Sequence, residues 1–382
     1  MSVYLDHNAT SPIRPEASEA MAAALAEGGN PSSVHGPGRA ARARLETARA
    51  SIAGKVGARA EDLVFTSGGT EALNLAIASA TRAGATRLII SAVEHDAVEA
   101  CARATGLPVT LWPVLPFGGA DLDWLADTLD NHDPTRDGIW LFALMAANNE
   151  TGVIQPVEAA GAMIREAGAL FLVDAVQAPG KTEFSVAASM AHYAAFSAHK
   201  VGGPQGVGAL ALACDAPASP LVVGGGQEKG RRGGTENVPG AVSFAAAFSA
   251  ATASPEESLR QKGLRDRAEA LITAAAPEVR IWGRDADRLS NTLCLSAPGW
   301  TSEIQVIALD LAGFAVSAGS ACSSGKVRKS RVLDAMGASE AEAECALRVS
   351  FGWTNTTEDA DAFARAWLNA YQHARPAAAL AV

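Results

Sequence analysis

Cysteine is scarce in this chain, and what there is does not cluster. Five thiols, at 101, 214, 294, 322 and 345, make an odd number spread over 382 residues. None forms a CxxC pair or joins histidines at metal-ligand spacing, which argues against a disulfide framework and a structural zinc. Long apolar runs are missing as well, so no stretch reads as a bilayer span. Positive charge is in deficit, with 31 Lys and Arg against 41 Asp and Glu. That balance argues against a phosphate-tracking surface, and no nucleic-acid partner is expected. The opening Met1-Ser2-Val3-Tyr4-Leu5-Asp6 has neither a basic leader nor an apolar signal core, so a cytoplasmic location away from membranes is expected.

What is present is packing material. Hydrophobic residues make up 48% and charged residues 19%, the balance of a soluble globular enzyme. The length exceeds that at which one core keeps growing, which predicts one large domain and a smaller one. Apolar strand-like runs at 62–66, 87–91, 109–112, 139–144, 169–174 and 208–212 are separated by helical stretches, the first at 70–82. This alternation predicts an α/β fold whose mostly parallel sheet is covered on both faces. Functional residues of such sheets collect in loops beyond the strand ends. An Ala-rich helical connector is expected up to about residue 276. Two shorter strands, at 291–295 and 347–351, then alternate with helices near 302–312, 339–346 and 357–373.

Cys101, Cys214, Cys294 and Cys345 fall in helix- or strand-like patterns and read as small buried hydrophobes. Cys322 does not. It lies in Ser317-Ala318-Gly319-Ser320-Ala321-Cys322-Ser323-Ser324-Gly325, where no neighbour is large enough to bury the sulfur. A thiol presented that way is there to react. Upstream, Phe196-Ser197-Ala198-His199-Lys200-Val201-Gly202-Gly203-Pro204 places a lysine after an apolar run and before a Gly-rich turn. A buried lysine able to form a Schiff base, together with a mobile thiol, suggests chemistry on a sulfur-bearing amino acid.

Other motifs stand at strand ends. Thr66-Ser67-Gly68-Gly69-Thr70-Glu71 offers backbone N–H groups and hydroxyls at a helix start, suited to a phosphate, although an ordinary Ser/Thr cap looks the same. Asp174 ends a strand where a carboxylate pairs with a protonated ring nitrogen or simply caps the next turn. His95 follows another strand, placed to stack on a flat cofactor or to sit at the surface. Asn148-Asn149-Glu150-Thr151-Gly152 brings two amides before a turn. Arg348, inside an apolar run, is the residue type that grips a carboxylate bidentately or forms a structural ion pair.

In their order along the chain these motifs resemble the cysteine desulfurases of the NifS/IscS type, fold-type I enzymes dependent on pyridoxal 5'-phosphate (PLP). The resemblance runs from Tyr4-Leu5-Asp6-His7-Asn8-Ala9-Thr10 to Arg348-Val349-Ser350. It includes Gly29-Asn30-Pro31-Ser32-Ser33-Val34-His35, Asp174-Ala175-Val176-Gln177 and Arg231-Arg232-Gly233-Gly234-Thr235-Glu236-Asn237. It implies a large PLP-binding domain over 14–255, with a seven-stranded type of sheet. A small domain would comprise 1–13 and 256–382 and carry the cysteine loop.

The resemblance also implies roles. Lys200 would hold PLP covalently and act as general base, Asp174 would pair with the ring nitrogen, and His95 would stack on the ring. Gln177, with Asn149, would reach the ring oxygen. Gly69, Thr70, Ser197 and His199 would cradle the phosphate, completed by Thr235 from the other subunit of a homodimer. Arg348, helped by Asn149, would bind the carboxylate of L-cysteine. Cys322 would take the sulfur as a persulfide and pass it to an acceptor protein, with iron–sulfur cluster assembly the favoured destination. Another fold-type I PLP enzyme, an aminotransferase or a selenocysteine lyase, is the alternative. The sequence departs from the family at His7, where Asn is usual, and at Trp353, where a basic residue is common. It departs again at Lys326-Val327-Arg328-Lys329, which with Arg331 would form a basic patch beside the thiol.

Overall fold

Each central strand of the main sheet buries both faces, which is why its sequence reads as an unbroken apolar run. The computed structural model describes residues 2–253, 255–318 and 330–374. Across the seven-stranded sheet the order is Leu63–Thr66, Gly208–Leu212, Tyr193–Ser197, Leu170–Asp174, Ile139–Met145, Ala85–Ser91 and Val109–Trp112. Gly208–Leu212 runs antiparallel to both neighbours and every other pair is parallel.

Alternation along the strands sorts side chains to two cores. Leu88, Ile90, Leu141 and Leu172 pack with Leu73 and Ile77 of the helix Gly69–Arg82. Ile89, Phe142, Phe171 and Val173 pack on the other face with Leu45, Ile52, Phe244 and Phe248. Phe142 is fully buried, so its truncation to alanine would cost roughly 3–5 kcal/mol in lost transfer energy and cavity.

A separate core lies around a four-stranded antiparallel sheet ordered Ser317–Ala318, Ala346–Ser350, Thr292–Ser296 and Arg280–Ile281. Leu293, Leu295, Leu347 and Val349 from that sheet meet Leu264 and Ile272 of the helix Pro255–Ala275 and Phe363 and Trp367 of Thr357–Ala374. Leu5 enters this core too, because Val3–Tyr4 pairs in parallel with Phe314–Ala315.

The expected helical connector is in fact two helices with different allegiances. Val238–Ala251 belongs to one of the two cores of the large sheet, whereas Pro255–Ala275 belongs to the core of the four-stranded sheet. Cys214 corrects the expectation of burial: it stands exposed in the turn after Gly208–Leu212, while Cys294 and Cys345 are buried and Cys101 is half-buried. Among the described residues no helix is long and apolar enough to cross a membrane.

Candidate active site

Parallel strands that end at one edge deliver their following turns to one place. Here those turns line a cavity of about 390 Å³ whose wall holds Gly69, Thr70, His95, Asn149, Asp174, Gln177, Ser197, His199, Lys200 and Arg348. That volume suits a small organic ligand. Thr235 is not in the wall; it is exposed on the loop ahead of the helix Val238–Ala251. Cys322 lies outside the described residues, as do Lys326, Arg328 and Lys329. The flanks of that segment are described: Ser317 is paired with Arg348 in the sheet, and Ser330 donates to Glu150 Oε2 at 2.6 Å. Arg331 is no part of a free basic patch, since it forms ion pairs with Asp96 and Glu99.

One end of the cavity is the start of the helix Gly69–Arg82. Its N-cap is Gly68, which has no side chain to cap with. The approach is tight: a Cβ on Gly69 would lie 2.8 Å from Val176 Cγ2, and one on Gly208 would lie 2.5 Å from the Gly68 carbonyl carbon. Glycine is therefore required where the turn crosses the sheet edge. A helix start with no side-chain cap, beside Ser197 and His199, has the chemistry that suits an anion. His199 Nδ1 lies 3.2 Å from Thr10 Oγ1. Burial, with Lys200 and Lys181 nearby, lowers its pKa to about 4.

Asp174 forms the floor. Its Oδ1 accepts from Val176 N at 3.0 Å, and burial raises its pKa against the opposing pull of His95, that N–H and Lys200. Glu94 stands close by, its Oε1 accepting from Met145 N at 2.6 Å and its Oε2 without a partner among the described residues. Burial and the nearby Asp174 charge push Glu94 well above the ordinary carboxylate range. A buried carboxylate in such surroundings favours a cationic N–H donor.

Lys200 follows the strand Tyr193–Ser197. Its Nζ donates to the carbonyl oxygens of Asn8 at 2.6 Å and Ala9 at 2.8 Å. Burial and the Arg348 charge lower its pKa to about 8, with Asp174 and Asp6 pulling the other way. An amine lowered to that range has the chemistry needed of a nucleophile or a general base near neutral pH.

Arg348 is 4% exposed, with Nη2 donating to Asp6 Oδ1 at 2.8 Å and Nη1 to Asn149 O at 3.2 Å. Its Nε has no partner among the described residues. The two adjacent amides divide their work. Asn148 Oδ1 accepts from Glu150 N and Thr151 N and so builds the turn, leaving Asn149 to line the cavity.

The hub of the site is a residue the motifs gave no role. Asn8 O accepts from Lys200 and from Gln177 Nε2 at 3.0 Å; its Oδ1 accepts from Lys181 at 3.1 Å and from Asn291 at 3.0 Å. Its Nδ2 donates to Thr292 Oγ1 at 2.8 Å and Asn149 O at 3.1 Å. The only sequence signal was its place in Tyr4-Leu5-Asp6-His7-Asn8-Ala9-Thr10. His7, the departure beside it, is a packing residue: Nδ1 lies 2.9 Å from Ser11 Oγ, and burial lowers its pKa to about 3. Trp353, the other departure, donates through Nε1 to Pro12 O at 3.1 Å and lies under the Arg14 guanidinium.

The chain matches the family model described as aminotransferase class-V over residues 3–363. It is 42% identical over 365 residues to a cysteine desulfurase of Cereibacter sphaeroides, covering 93% of this chain and 92% of that one. It is 39% identical over 387 residues to an IscS-like cysteine desulfurase of Mycobacterium tuberculosis, covering 98% of both. Among solved structures, a NifS-like protein from Rickettsia africae superimposes with a TM-score of 0.89 at 33% identity, covering 97% of this chain and 100% of that one. The chain belongs to the aminotransferase class-V family, among its cysteine desulfurases of the NifS/IscS type.

Proposed function

We propose that this protein is a cysteine desulfurase that uses PLP to move sulfur from L-cysteine onto Cys322. The observation that carries the reading is the convergence of Lys200, Asp174 and Arg348 on one cavity, with Ser317, five residues before Cys322 in sequence, paired with Arg348 in the sheet.

The residues fit PLP. Asp174 is a buried carboxylate suited to a ring N–H, the helix start at Gly69 offers uncapped donors to a phosphate, and Lys200 supplies the amine for covalent attachment. When bound, PLP supplies an electron sink for the substrate Cα. His95 would cover one face of the ring and Gln177 would donate to its oxygen. The Arg348 guanidinium, whose Nε has no partner among the described residues, would take the substrate carboxylate, with Asn149 on the same wall. Lys200 takes the Cα proton and returns a proton as the product forms.

Cys322, as thiolate, attacks the substrate sulfur. An S–S bond forms, the substrate Cβ–S bond breaks, and a proton replaces sulfur at Cβ. The products are L-alanine and a persulfide on Cys322, which balance without any outside oxidant.

The exposed loop with Thr235 supports a homodimer in which each subunit completes its partner's phosphate site. The core around the four-stranded sheet, distinct from the two on the large sheet, supports the division into a large unit over 14–255 and a small one made of 1–13 and 256–382. An acceptor protein would then remove the sulfur, in iron–sulfur cluster assembly and in the cytoplasm. The test is a single turnover of PLP-loaded protein with L-cysteine and no reductant. Equal alanine and Cys322-bound sulfane sulfur is expected; alanine without persulfide, or neither product, would overturn the reading.

A further inference from the structure

Gln177 carries an amide with two chemically opposite ends, and the cavity receives whichever end the surroundings leave to it. Lys181, one turn further along the chain, is buried and aims its Nζ at Gln177 Oε1, 2.6 Å away, and at Asn8 Oδ1, 3.1 Å away. Gln177 Nε2 in turn donates to the Asn8 carbonyl oxygen at 3.0 Å. Turned over, the amide would set Oε1 against that carbonyl oxygen and lose its bond from Lys181. The orientation is thus specified from both sides.

The same amine fixes the Asn8 side chain, whose Oδ1 it shares with Asn291 Nδ2, so that Nδ2 faces Asn149 and Thr292. Burial, with Lys200 and Arg348 nearby, holds the Lys181 pKa well below the ordinary lysine range. Its N–H groups donate in either protonation state.

We propose that Lys181 is a positioning residue that locks the Gln177 and Asn8 amides, so that the cavity meets an N–H from Gln177 and Lys200 meets a fixed Asn8 carbonyl. The proposal rests on the PLP reading above, in which the cofactor's ring oxygen needs a donor. A donor on that oxygen favours its deprotonated form and lowers the pH at which the lysine-bound cofactor loses its proton.

The experiment is a pH titration of the visible absorption of PLP-loaded protein, with the PLP dissociation constant of each variant and the melting temperature of cofactor-free protein. Lys181→Met removes the donors, Lys181→Gln removes the amine at smaller change in polarity, and Lys181→Arg keeps donors. With Met the midpoint is expected to rise by about one pH unit and PLP binding to weaken about tenfold, roughly the worth of one hydrogen bond. Arg is expected to restore part of both. Should Met not fold, the Gln variant is read in the same way.

A lowered melting temperature with an unchanged midpoint would make Lys181 merely structural and overturn the proposal. Wild-type protein that takes up no PLP, with no borohydride-fixed product on Lys200, would overturn the PLP reading and this proposal together. A yellow wild type with unmoved variants would overturn this proposal alone.

Discussion

Arg348 Nη2 donates to Asp6 Oδ1 at 2.8 Å, an ion pair that joins residues 342 positions apart at the cavity wall. The guanidinium is thereby oriented from behind, and a second nitrogen donates to the Asn149 carbonyl. A lysine at 348 would keep the charge and lose the planar fork. Arg348→Lys is expected to raise KM for L-cysteine about 10- to 100-fold, the range for losing a charge-assisted hydrogen bond, while changing kcat less. Steady-state kinetics check it, and an unchanged KM would remove Arg348 from carboxylate binding.

Lys200 gives a prediction in the cofactor-free protein. Its ammonium deprotonates at about 8, against about 10.4 for an exposed lysine. Labelling of Lys200 by an amine-directed reagent is therefore expected to rise with pH through a midpoint near 8, well before the surface lysines respond. Peptide mass spectrometry across a pH series reads it directly. A midpoint with the surface lysines would mean that the amine is not desolvated.

Arg49 and Glu228 form a buried bidentate pair at 2.6 and 2.8 Å, and Glu228 Oε2 also accepts from Phe65 N at 3.0 Å. These contacts tie down Glu228, which together with Lys229 adopts φ of 47° and 58°, left-handed conformations that non-glycine residues adopt only when their surroundings impose them. Glu228→Gln leaves the Arg49 charge poorly compensated and is expected to cost about 3 kcal/mol. Adding Arg49→Met should recover part of the loss. A denaturant-unfolding double-mutant cycle tests the coupling, and strictly additive losses would refute it.

Acid should loosen the fold at two buried imidazoles and a half-buried one. Burial lowers His7 to about 3 and His192 and His199 to about 4, so all three are neutral in the folded chain near pH 7. The unfolded chain binds their protons below about 6.5, so the stability is whole above that pH and is lost as pH falls toward the folded values. At pH 5 the penalty would be at most about 2 kcal/mol for each. Melting temperatures between pH 7 and 5 check the trend, and His192→Gln should flatten part of it.

The sheet was legible because strands buried on both faces announce themselves: the run read at 169–174 is the strand Leu170–Asp174. The helices Pro15–Glu27 and Gly36–Lys55 were not. Their sequences are dominated by alanine and charge, and their place follows from packing on Val238–Ala251 rather than from a strong apolar stripe. At the site, motif order located Lys200, Asp174 and Arg348, since each follows or occupies a recognisable strand. Asn8, Lys181 and Glu94 stayed hidden because their importance lies in contacts across long sequence separations. A buried lysine also looks like any solvated one until its surroundings are known. Cys214 was misread for the converse reason: an apolar neighbourhood in sequence ends one residue before the chain turns outward.

Asn8 has a consequence for the order of events during synthesis. Its main-chain N–H donates to Ser350 Oγ at 2.9 Å, and its side chain bonds to Thr292 and Asn291. A nascent chain can therefore lay down the large sheet, Lys200 included, while the residues that seat Asn8 are still inside the ribosome. The last of the contacts that seat Asn8 beside the Lys200 amine forms only after residue 350 emerges. The cavity is thus completed last, after the whole sheet around it has already been made.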